Sequence, residues 1–576
     1  MKGTKTPEFD ALLDKILDEL IPHIRVCLDC KKEFKIEEGD VSLLKMLRSP
    51  APKLCPDCRH RRRLSFSNYS NIYKRKCDIP GHSDTMLSPV APIIPWVIYD
   101  YDTYYSDLWD PFSYGRIVNE TQSFFDQFLS LMKVVPLPGV RRGKNSINSD
   151  FCFYGESLKD GYYVFGGRRS ENVLFSTSIY DSKNIIDSYF LRRVDSAYDN
   201  IGTSDCYKCQ YAYFSSNCIE CDFVYDCRNC QNCFGCVNLR NKNYYIFNEK
   251  FSPEEYTKIR NEINLGSRKV KDEYQNKFWE LIKTNPIRAA RIFNSQNVFG
   301  NDIKNSKNCR DVFQIEDSEN VRHSAFVVFK VKDSMDVGFS GRAQGNYEAQ
   351  NVSANSSSVK FSFAVKESTD CEFLINCQNC TNCFGCVGLK NTSYSIFNKK
   401  YEPEEYFEIL DSIKTKMLQN GEYGEFFPMS FAPYAYNSSM AHVIYPMTEE
   451  EAKKRGLFWQ PDTTVDTKNL KSIKVQELPD NILDVGYEIC ELAIIGEKSG
   501  KPFRLIKREI DYYKQNNITL PNDTPYQRML DRFKILNNFK VFNETCDFCN
   551  KQIESAYKRS DGFKPYCEDC YKREIV

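Results

Sequence analysis

The sequence predicts a mainly β protein with peripheral helices (an α+β fold), in which zinc ribbons at both ends flank a duplicated narrow parallel β-solenoid. Three observations lead to this prediction. Paired Cys-x2-Cys motifs stand near both ends, a cysteine-rich segment occurs twice in the middle, and small or apolar residues recur there at every third position. A chain of 576 residues also exceeds one ordinary hydrophobic core, so several structural units are expected.

The predicted units follow one another along the chain. They are an N-terminal helix with a zinc-ribbon cassette, a helical linker, two cysteine-rich solenoid repeats that each end in a capping helix, a linker with a short helix, and a C-terminal zinc-ribbon cassette. In that order they cover residues 1–105, 106–150, 151–266, 267–421, 422–480 and 481–576.

The composition excludes several classes of protein. The chain has 78 basic and 78 acidic residues, so its net charge does not attract it to nucleic acid or to a membrane surface. Its first residues lack the basic and then apolar pattern of a signal peptide, and no apolar run approaches the roughly 20 residues that cross a bilayer. We therefore expect a soluble cytoplasmic protein with no membrane partner. Because disulfides do not persist in a reducing compartment, the 25 cysteines are expected to be metal ligands or small buried apolar residues.

Four cysteines near each end have the spacing of a zinc ribbon. Each Cys-x2-Cys pair supplies two thiolates from one tight turn, and two pairs complete a tetrahedral site. Four protein ligands leave no position for water, so these sites are expected to be structural. The predicted metal ligands are Cys27, Cys30, Cys55 and Cys58 near the N-terminus, and Cys546, Cys549, Cys567 and Cys570 near the C-terminus.

The two ends look like copies of one cassette that contains two ribbons. Residues match at a constant offset of 469, and the matched pairs are Phe34 with Phe503, Pro52 with Pro521, Pro56 with Pro525, Arg59 with Arg528, Arg63 with Arg532, Asn68 with Asn537 and Cys77 with Cys546. One ribbon of each copy has lost its ligands. The altered positions hold Pro80, Ile98 and Tyr101 in the N-terminal copy, and Gly496, Ser499, Thr524 and Gln527 in the C-terminal copy. We therefore expect about two structural Zn²⁺ ions, with apolar residues keeping the altered ribbons folded.

The middle of the chain contains an internal duplication with a finer periodicity. Residues 224–259 align without a gap with residues 374–409, and 21 of the 36 pairs are identical. Related residues also recur at intervals of twelve, as Cys209 and Cys221 do. A helix would need a spacing of 3.6 and is disfavoured by the Asn, Asp and Ser between these positions. A short repeat with small residues stacked inward is typical of a narrow parallel β-solenoid.

Three interpretations of the cysteines in 206–236 and 371–386 stay open. They form an inward ladder of buried thiols, they bind additional zinc, or they hold an iron–sulfur cluster. The cluster is disfavoured because the ferredoxin run has an x3 gap and a following proline, whereas here the last gap is x2 and Val237 or Val387 follows. The ladder is favoured because x2 spacing continues the three-residue repeat.

Helices are predicted outside the repeats. A capping box with proline at the first helical position begins a helix at Ser252, and Glu402 occupies the equivalent position after the second repeat. These two helices are expected to close the solenoid ends. Further helices are predicted over 8–22, over 121–132, and from Thr448 to Gly456.

A basic segment after the second N-terminal cysteine pair is the candidate nucleic-acid-binding site. Ribbons hold such side chains rigidly against phosphates, and Tyr69 and Tyr73 are available for stacking, so RNA or a ribonucleoprotein is the predicted partner. The alternative is a solvated face or internal pairing, which the recurrence of two arginines as Arg528 and Arg532 supports. The candidate contacts are Arg59, Arg61, Arg62, Arg63, Lys74, Arg75 and Lys76.

Two other functions are weighed against nucleic-acid binding. A protein-binding scaffold would use the solenoid faces and aromatic anchors, although these aromatic residues also suit the core of the linker. A carbohydrate-active solenoid enzyme would need a row of acids such as Asp181, Asp187 and Asp195, but no catalytic histidine spacing, phosphate-binding loop or open metal site accompanies them. The aromatic candidates are Trp96, Trp109, Phe124, Phe125 and Phe128.

Several runs resemble a family of uncharacterised cysteine-rich multi-zinc-ribbon proteins of small-genome candidate-phyla bacteria. They are CPDCRHRRRLSFSNYSNIYKRKC (55–77), SDLWDPFSYGR (106–116), the paired FGCVxL(R/K)N and IFN motifs, PMTEEEAKKRG (446–456) and SGKPFRLIKREI (499–510). The resemblance covers nearly the whole chain and implies a cytosolic bacterial zinc protein, but it implies no activity. Thr524 and Gln527 depart from the family pattern, so no metal is expected in that ribbon.

Overall fold

A computed structural model describes residues 4–81, 84–140, 145–149, 151–461, 471–536 and 539–576. The chain divides into two compact units, each built from two separate stretches of sequence. Unit 1 contains residues 1–140 and 291–460, and unit 2 contains residues 141–290 and 461–576. The N-terminal cassette therefore shares a unit with the second cysteine-rich repeat, and the C-terminal cassette shares a unit with the first. Among the described residues, none of the helices combines the length and the apolar character needed to cross a membrane.

Unit 1 combines a long parallel sheet with short sheets and peripheral helices. The strands of its long sheet, called the second sheet, are Ile292–Phe293, Gln296–Lys304, Lys307–Glu316, Glu319–Gly338, Gly341–Gln344, Tyr347–Gln350, Ser353–Phe363, Thr369–Glu372, Gln378–Phe384, Lys390–Ile396 and Lys399–Lys400. The short strands are His23–Val26, Glu33–Ile36, Tyr73–Lys76, Thr85–Ser88, Ile98–Tyr99 and Leu137–Pro138. The α-helices are Pro7–Asp18, Glu38–Met46, Pro56–Leu64, Tyr101–Tyr105, Phe124–Met132, Pro403–Gln419, Met440–Ile444 and Glu449–Lys454.

Unit 2 has the same kinds of elements. The strands of its long sheet, called the first sheet, are Cys152–Lys159, Tyr162–Tyr180, Lys183–Ile186, Tyr189–Arg192, Asp195–Tyr198, Tyr207–Tyr213, Ile219–Tyr225, Gln231–Val237, Asn243–Ile246 and Glu249–Lys250. The short strands are Pro286–Arg288, Ser472–Lys474, Ala493–Ile495, Pro502–Phe503, Phe542–Thr545, Gln552–Ser555 and Lys564–Tyr566. The α-helices are Pro253–Glu262, Arg268–Thr284, Lys507–Gln515, Pro525–Ile535 and Glu568–Ile575.

Strands of both long sheets pair mostly in parallel with partners about twelve residues away. Cys221 pairs with Cys233 in the first sheet, and Val359 pairs with Cys371 in the second. Four strands of the second sheet, which lie within residues 319–363, pair in a closed ring. The prediction of a mainly β protein with helices is confirmed, and the twelve-residue recurrence of the sequence is the spacing of paired strands.

Every third residue along most of both long sheets has a positive φ. In the first sheet this series includes Asn217 at 53°, Glu220 at 52° and Phe223 at 54°. Left-handed backbone costs most residues about 1–2 kcal/mol and is tolerated best by Gly, Asn and Asp, which explains why Asn and Asp recur in the repeats. The residue after most of these positions is buried, as Cys218 and Cys221 are, so about one side chain in three forms the core.

The two terminal cassettes contain equivalent elements. The helices Glu38–Met46 and Pro56–Leu64 begin 469 residues before Lys507–Gln515 and Pro525–Ile535, the offset at which the two sequences match. The strand Tyr73–Lys76 corresponds in the same way to Phe542–Thr545. The matching residues of the two cassettes therefore lie on matching elements.

All five predicted helices are present, but two predicted boundaries are wrong. The helix predicted over 121–132 begins at Phe124. Phe9, Leu13 and Leu17 are buried on the helix Pro7–Asp18, which ends before the predicted residue 22. The capping box at Ser252 forms as expected, and the helix that starts at Thr448 has one as well. Arg268–Thr284, which the prediction placed in the second repeat, belongs to unit 2. Its Phe278 packs on Phe223 of the first sheet, with ring centroids 5.7 Å apart, because these aromatic side chains bury each other.

Candidate metal centres

Cys27, Cys30, Cys55 and Cys58 form the N-terminal cluster. Their sulfur atoms all lie within 4.8 Å of one another, and the Sγ atoms of Cys30 and Cys55 are 3.7 Å apart. Four sulfurs around an ion at a metal–sulfur distance of about 2.3 Å are separated by about 3.8 Å in a tetrahedron. The cluster therefore has the ligand number and the spacing of a tetrahedral metal site.

Cys546, Cys549, Cys567 and Cys570 form the C-terminal cluster with the same geometry. Their sulfur atoms also lie within 4.8 Å of one another, and the Sγ atoms of Cys549 and Cys567 are 3.8 Å apart. In the described part of the chain, these two clusters are the groups where three or more potential ligands converge this closely. They contain all eight cysteines that the sequence analysis predicts as ligands.

The first cysteine pair of each cluster lies on a tight turn after a β-strand. The backbone N–H of Cys27 donates to the Lys32 carbonyl at 2.9 Å, and that of Cys546 donates to the Lys551 carbonyl at 2.8 Å. The residue after the second cysteine of each pair has a left-handed backbone, with φ of 62° at Lys31. The equivalent residue is Asn550, with φ of 58°. Such turns direct both thiols of a pair to one point.

The second cysteine pair of each cluster lies at a helix N-terminus. Cys55 is the N-cap of Pro56–Leu64, and Cys567 is the N-cap of Glu568–Ile575. The backbone N–H of Cys55 donates to Cys27 Sγ at 3.3 Å, and that of Cys567 donates to Cys546 Sγ at 3.3 Å. The positive end of a helix dipole and these N–H groups stabilise anionic sulfur.

The electrostatics favour one thiolate in each cluster, and the thiolate is the form that binds metal. The hydrogen bond with the Cys58 side chain lowers the pKa of Cys55 to about 5, and the same contact raises the pKa of Cys58. Burial raises the pKa of Cys546, but the backbone N–H groups around it, first that of Cys549, bring it down to about 6. Without a cation, the negative charge is favoured on one sulfur of each cluster. A bound metal ion would favour the thiolate form of all four cysteines.

A carboxylate takes the place of the sulfurs in the altered ribbon of unit 2. Asp523 is buried and accepts hydrogen bonds from the backbone N–H groups of Lys498 at 2.7 Å, Ser499 at 3.0 Å and Thr524 at 2.8 Å. It also accepts a hydrogen bond from the Ser499 hydroxyl. A Cβ on Gly496 would lie 2.5 Å from Asp523 Oδ1, so a cysteine at position 496 would displace the carboxylate. Hydrogen bonds to Asp523 thus join the two turns that a metal joins elsewhere.

In the altered ribbon of unit 1, the structural equivalents of Cys567 and Cys570 lie two residues later than the constant offset of 469 predicts. The backbone N–H of Asp100 donates to Cys77 Sγ at 3.3 Å, as that of Cys567 does to Cys546. Asp100 is also the N-cap of the following helix, where its side chain accepts from the Thr103 N–H at 3.0 Å. Asp100 and Thr103 therefore occupy the ligand positions that the ungapped alignment assigned to Ile98 and Tyr101. A two-residue insertion before the helix hides this match in the sequence.

Three of the predicted nucleic-acid contacts are buried in ion pairs within unit 1. Arg59 Nε lies 2.8 Å from Asp336 Oδ2, and Arg63 Nη1 lies 2.9 Å from Asp336 Oδ1. Arg62 Nη2 lies 2.7 Å from Glu348 Oε1, and its Nη1 lies 2.8 Å from Glu425 Oε2. Because all three guanidinium groups are buried and form ion pairs with carboxylates of unit 1, they cannot form a phosphate-binding surface. The prediction is corrected for these residues.

The remaining predicted contacts are divided between paired and exposed residues. Arg61 pairs with Asp29 and lies 3.8 Å from Cys58 Sγ, so it belongs to the surroundings of the N-terminal cluster. Arg75 pairs with Asp78 at 3.0 Å. Lys74 and Lys76 are exposed on the strand Tyr73–Lys76.

Unit 2 repeats the ion pairs between cassette and sheet. Arg528 Nη1 and Arg532 Nη2 each lie 3.3 Å from the buried carboxylate of Asp187. Arg532 Nη1 also lies 3.6 Å from Asp199 Oδ1. The pairing of these acids with the arginines was not predicted, but the sequence contains a signal for it. Asp187 and Asp199 match the unit 1 acids Asp336 and Glu348 at an offset of 149.

The cysteines of the long sheets lie in the core. Cys206, Cys209, Cys218 and Cys221 are buried, and the equivalent cysteines of the second sheet are buried as well. Their thiols lie against backbone carbonyl oxygens, as Cys209 Sγ does at 3.5 Å from that of Cys218. These contacts agree with the interpretation as a ladder of small buried side chains.

The other candidate residues have structural surroundings. Trp96, Phe124 and Phe128 are buried in the core of unit 1, which agrees with the interpretation of the aromatic anchors as core. Asp187 is buried against arginines, and Asp181 pairs with Arg169 at 2.6 Å. Asp195 accepts a hydrogen bond from Asn184 at 3.0 Å. These acids do not form a row of free carboxylates.

Comparisons with known proteins do not identify the chain. No family model and no curated protein matches it. One solved structure with some similarity is described as a "putative acetyltransferase from Desulfovibrio desulfuricans G20". It is 8% identical over 49% of this chain and 81% of its own, with a TM-score of 0.10. A similarity of this size carries no argument about fold or function.

Proposed function

We propose that the protein is a zinc-stabilised scaffold that binds other molecules through its long parallel sheets, and that its ribbons are structural. The observation that carries this proposal is the burial of Arg59, Arg62 and Arg63 against Asp336 and Glu348. The helix that follows the N-terminal cluster thereby holds the cassette to the sheet instead of presenting its positive charge to a ligand. Breaking such buried pairs is strongly destabilising, which suits a structural joint.

Each long sheet is proposed to be a narrow β-solenoid with twelve residues in a coil. The parallel pairing at intervals of about twelve supports this, as does the left-handed residue at every third position. Four such bends in twelve residues suit a four-sided coil with one inward side chain on each side. Stacked coils of this kind offer long, rigid faces for binding.

Zn²⁺ is the proposed ion of both clusters. Four thiolates in tetrahedral spacing are typical of structural zinc, and protein ligands at all four positions exclude a catalytic water. The similar sulfur spacings, 3.7 and 3.8 Å, support one kind of ion at both ends.

Metal analysis of the purified protein tests the structural role. We expect about two zinc ions per chain by mass spectrometry, and we expect their removal by a chelator to lower the melting temperature. A protein that binds no zinc, or whose unfolding is unchanged after complete removal of zinc, would contradict the proposal.

Binding to total RNA across a salt series tests the competing nucleic-acid function, which would now depend on Lys74 and Lys76. The scaffold proposal predicts that the wild type and a Lys74→Ala, Lys76→Ala variant bind RNA equally weakly. Tight, salt-sensitive binding that the double variant loses would favour the nucleic-acid function instead.

A further inference from the structure

Unit 1 contains a cavity of about 470 Å³ beside the second sheet. One wall is formed by side chains of the sheet, and another by the helix Pro403–Gln419. Residues Met46–Arg48 and the N-terminal Lys5 and Thr6 complete the lining. This volume lies in the range of small-molecule binding sites, about 300–1,000 Å³.

One carboxylate of the cavity lining, that of Glu372, uses only one of its two oxygens as a hydrogen-bond acceptor. Lys360 Nζ, Lys414 Nζ and the Tyr423 hydroxyl all converge on Glu372 Oε1, at 2.9, 3.1 and 3.0 Å. Glu372 Oε2 is buried and accepts no hydrogen bond from the described residues. Burial would raise the pKa of Glu372, but Lys360 and Lys414 lower it to about 2, so the group is an anion that only accepts. A group that satisfies Oε2 must therefore donate a hydrogen bond.

The equivalent acid of unit 2 has no such vacant position. Asp222 stands 150 residues before Glu372 in the duplicated segments. Its Oδ2 accepts from Arg260, and its Oδ1 accepts from the Gln210 backbone N–H at 3.2 Å. The residue at the position of Arg260 in unit 1 is Leu410, which lines the cavity. Loss of that arginine leaves Glu372 without a partner for its second oxygen.

The charges of the cavity favour a neutral ligand. The lining includes four cationic side chains and three carboxylates, those of Lys5, Arg48, Lys360, Lys414, Asp333, Asp370 and Glu372. Arg48 is already paired with Asp10 and Asp14, and Lys360 and Lys414 are paired with Glu372. Both signs of charge line the cavity. A cationic ligand would therefore be repelled by the lysines, and an anionic ligand would be repelled by the acids. A neutral ligand that both donates and accepts hydrogen bonds meets neither penalty.

The remaining lining groups suit hydroxyl groups on a compact ring. Ser357 and Ser358 lie on Ser353–Phe363, and Asn382 lies on Gln378–Phe384, the two strands that flank Thr369–Glu372. All three side chains both donate and accept hydrogen bonds. Phe384 and Phe407 add aromatic surface on which the apolar face of a ring can pack. Polar groups at strand spacing with an aromatic wall are complementary to a polyhydroxylated ring.

We infer that this cavity binds a small neutral carbohydrate, a monosaccharide or disaccharide, with one ligand hydroxyl donating to Glu372 Oε2. This site is separate from the proposed scaffold role, and its lining contains no cysteine of the two clusters. A negative result for zinc would therefore not contradict sugar binding, and a negative result for sugar would not contradict the proposed role of zinc.

Titration calorimetry and saturation-transfer NMR of the full-length protein test the inference. The probes are glucose, galactose, mannose, N-acetylglucosamine, maltose and sucrose, with glucuronate and glucosamine as charged counterparts. The variants are Glu372→Gln, Asp370→Asn and Phe407→Ala, and the matched control is Glu220→Gln at the unit 2 equivalent of Asp370. Circular dichroism checks that each variant folds.

We expect at least one neutral sugar to bind, and each folded cavity variant to weaken it at least tenfold while Glu220→Gln does not. Asp370 is exposed, so its variant keeps the test decisive if Glu372→Gln fails to fold. The inference is overturned if no neutral sugar binds at concentrations up to about 50 mM, well above a weak dissociation constant of about 1 mM. It is also overturned if only the charged sugars bind, or if the folded cavity variants bind as tightly as the wild type.

Discussion

Units 1 and 2 are built from the same parts but retain metal ligands in different ribbons. Unit 1 has four cysteines in its first ribbon, and unit 2 has them in its second. In unit 2, the first ribbon is held by Asp523, whose carboxylate accepts hydrogen bonds from both turns. The comparison indicates that a buried carboxylate can take the place of four cysteines at the centre of a ribbon.

The ion pairs that join each cassette to its long sheet differ less between the two units than the ribbons do. Both units place two arginines of one helix on acids of a long sheet, Arg59 and Arg63 in unit 1 and Arg528 and Arg532 in unit 2. The pairs in unit 1 are shorter, and Arg62 adds a further pair. The joint has therefore been retained where the metal ligands have been lost.

The largest effect is expected from removing one metal ligand in either unit. Cys58→Ser and Cys570→Ser should each reduce the zinc content from about two ions per chain to about one and unfold the affected ribbon. Structural zinc contributes about 10–16 kcal/mol of apparent binding free energy in small zinc domains. Metal analysis with hydrogen–deuterium exchange of each ribbon measures this. Cys77→Ser is the control, and a loss of zinc from that variant would contradict the assignment of the sites.

The next largest effect is expected at the arginine joints. Arg63→Met should leave the buried carboxylates of Asp336 and Glu348 without one cation and destabilise unit 1 by about 3–5 kcal/mol. Arg532→Met should destabilise unit 2 by less, because its contacts are 3.3 and 3.6 Å long. Urea unfolding followed by hydrogen exchange compares the units. Equal losses in both units would show that the shorter pairs add no stability.

Two equivalent acids should make opposite contributions to the pH dependence of stability in their units. Burial raises the pKa of Glu509 to about 7 from its ordinary 4.5, so the folded state binds the proton more tightly and unit 2 loses stability as pH rises from about 4.5 to 7. The equivalent acid of unit 1 is Asp40. Burial alone would raise the pKa of Asp40, but His323 and Arg322 hold it well below 3.8, so unit 1 loses stability as pH falls below that value.

Substitution of Glu509 isolates this effect. Glu509→Gln should remove the decrease in the stability of unit 2 between pH 4.5 and 7. The variant should therefore be more stable than the wild type at pH 8 by at most about 3 kcal/mol, with little difference at pH 4.5. Asp40→Asn should instead destabilise unit 1 at pH 7, because its ion pair with Arg322 at 2.6 Å is lost. Unfolding of each unit across pH measures both. A Glu509→Gln variant that is less stable than wild type at pH 8 would contradict the sign.

The smallest effect is expected at the carboxylate that replaces a metal. Asp523→Asn keeps the shape but loses the charge-assisted hydrogen bonds from Lys498 and Ser499, at a cost of about 1–3 kcal/mol. Zinc content should not change. Thermal unfolding and metal analysis check both statements, and a change in zinc content would show that Asp523 acts at a metal site.

The sequence by itself determined the cysteines of both clusters, the duplication of the cassettes, the twelve-residue periodicity and five of the thirteen α-helices of the described residues. These features are local, because a Cys-x2-Cys turn, a capping box such as that at Ser252 and a three-residue repeat act over short stretches of chain. The recurrence of Arg59 as Arg528 also indicated a structural arginine.

Only the tertiary structure decided which distant segments meet. It grouped the N-terminal cassette with the second repeat, and it placed Arg59 and Arg63 on Asp336, about 270 residues later in the chain. It also brought Lys360, Lys414 and Tyr423 to Glu372 around one cavity. Such pairings depend on the packing of whole surfaces, in which a charge can equally face solvent or a buried partner, so the sequence of the basic segment was compatible with both outcomes.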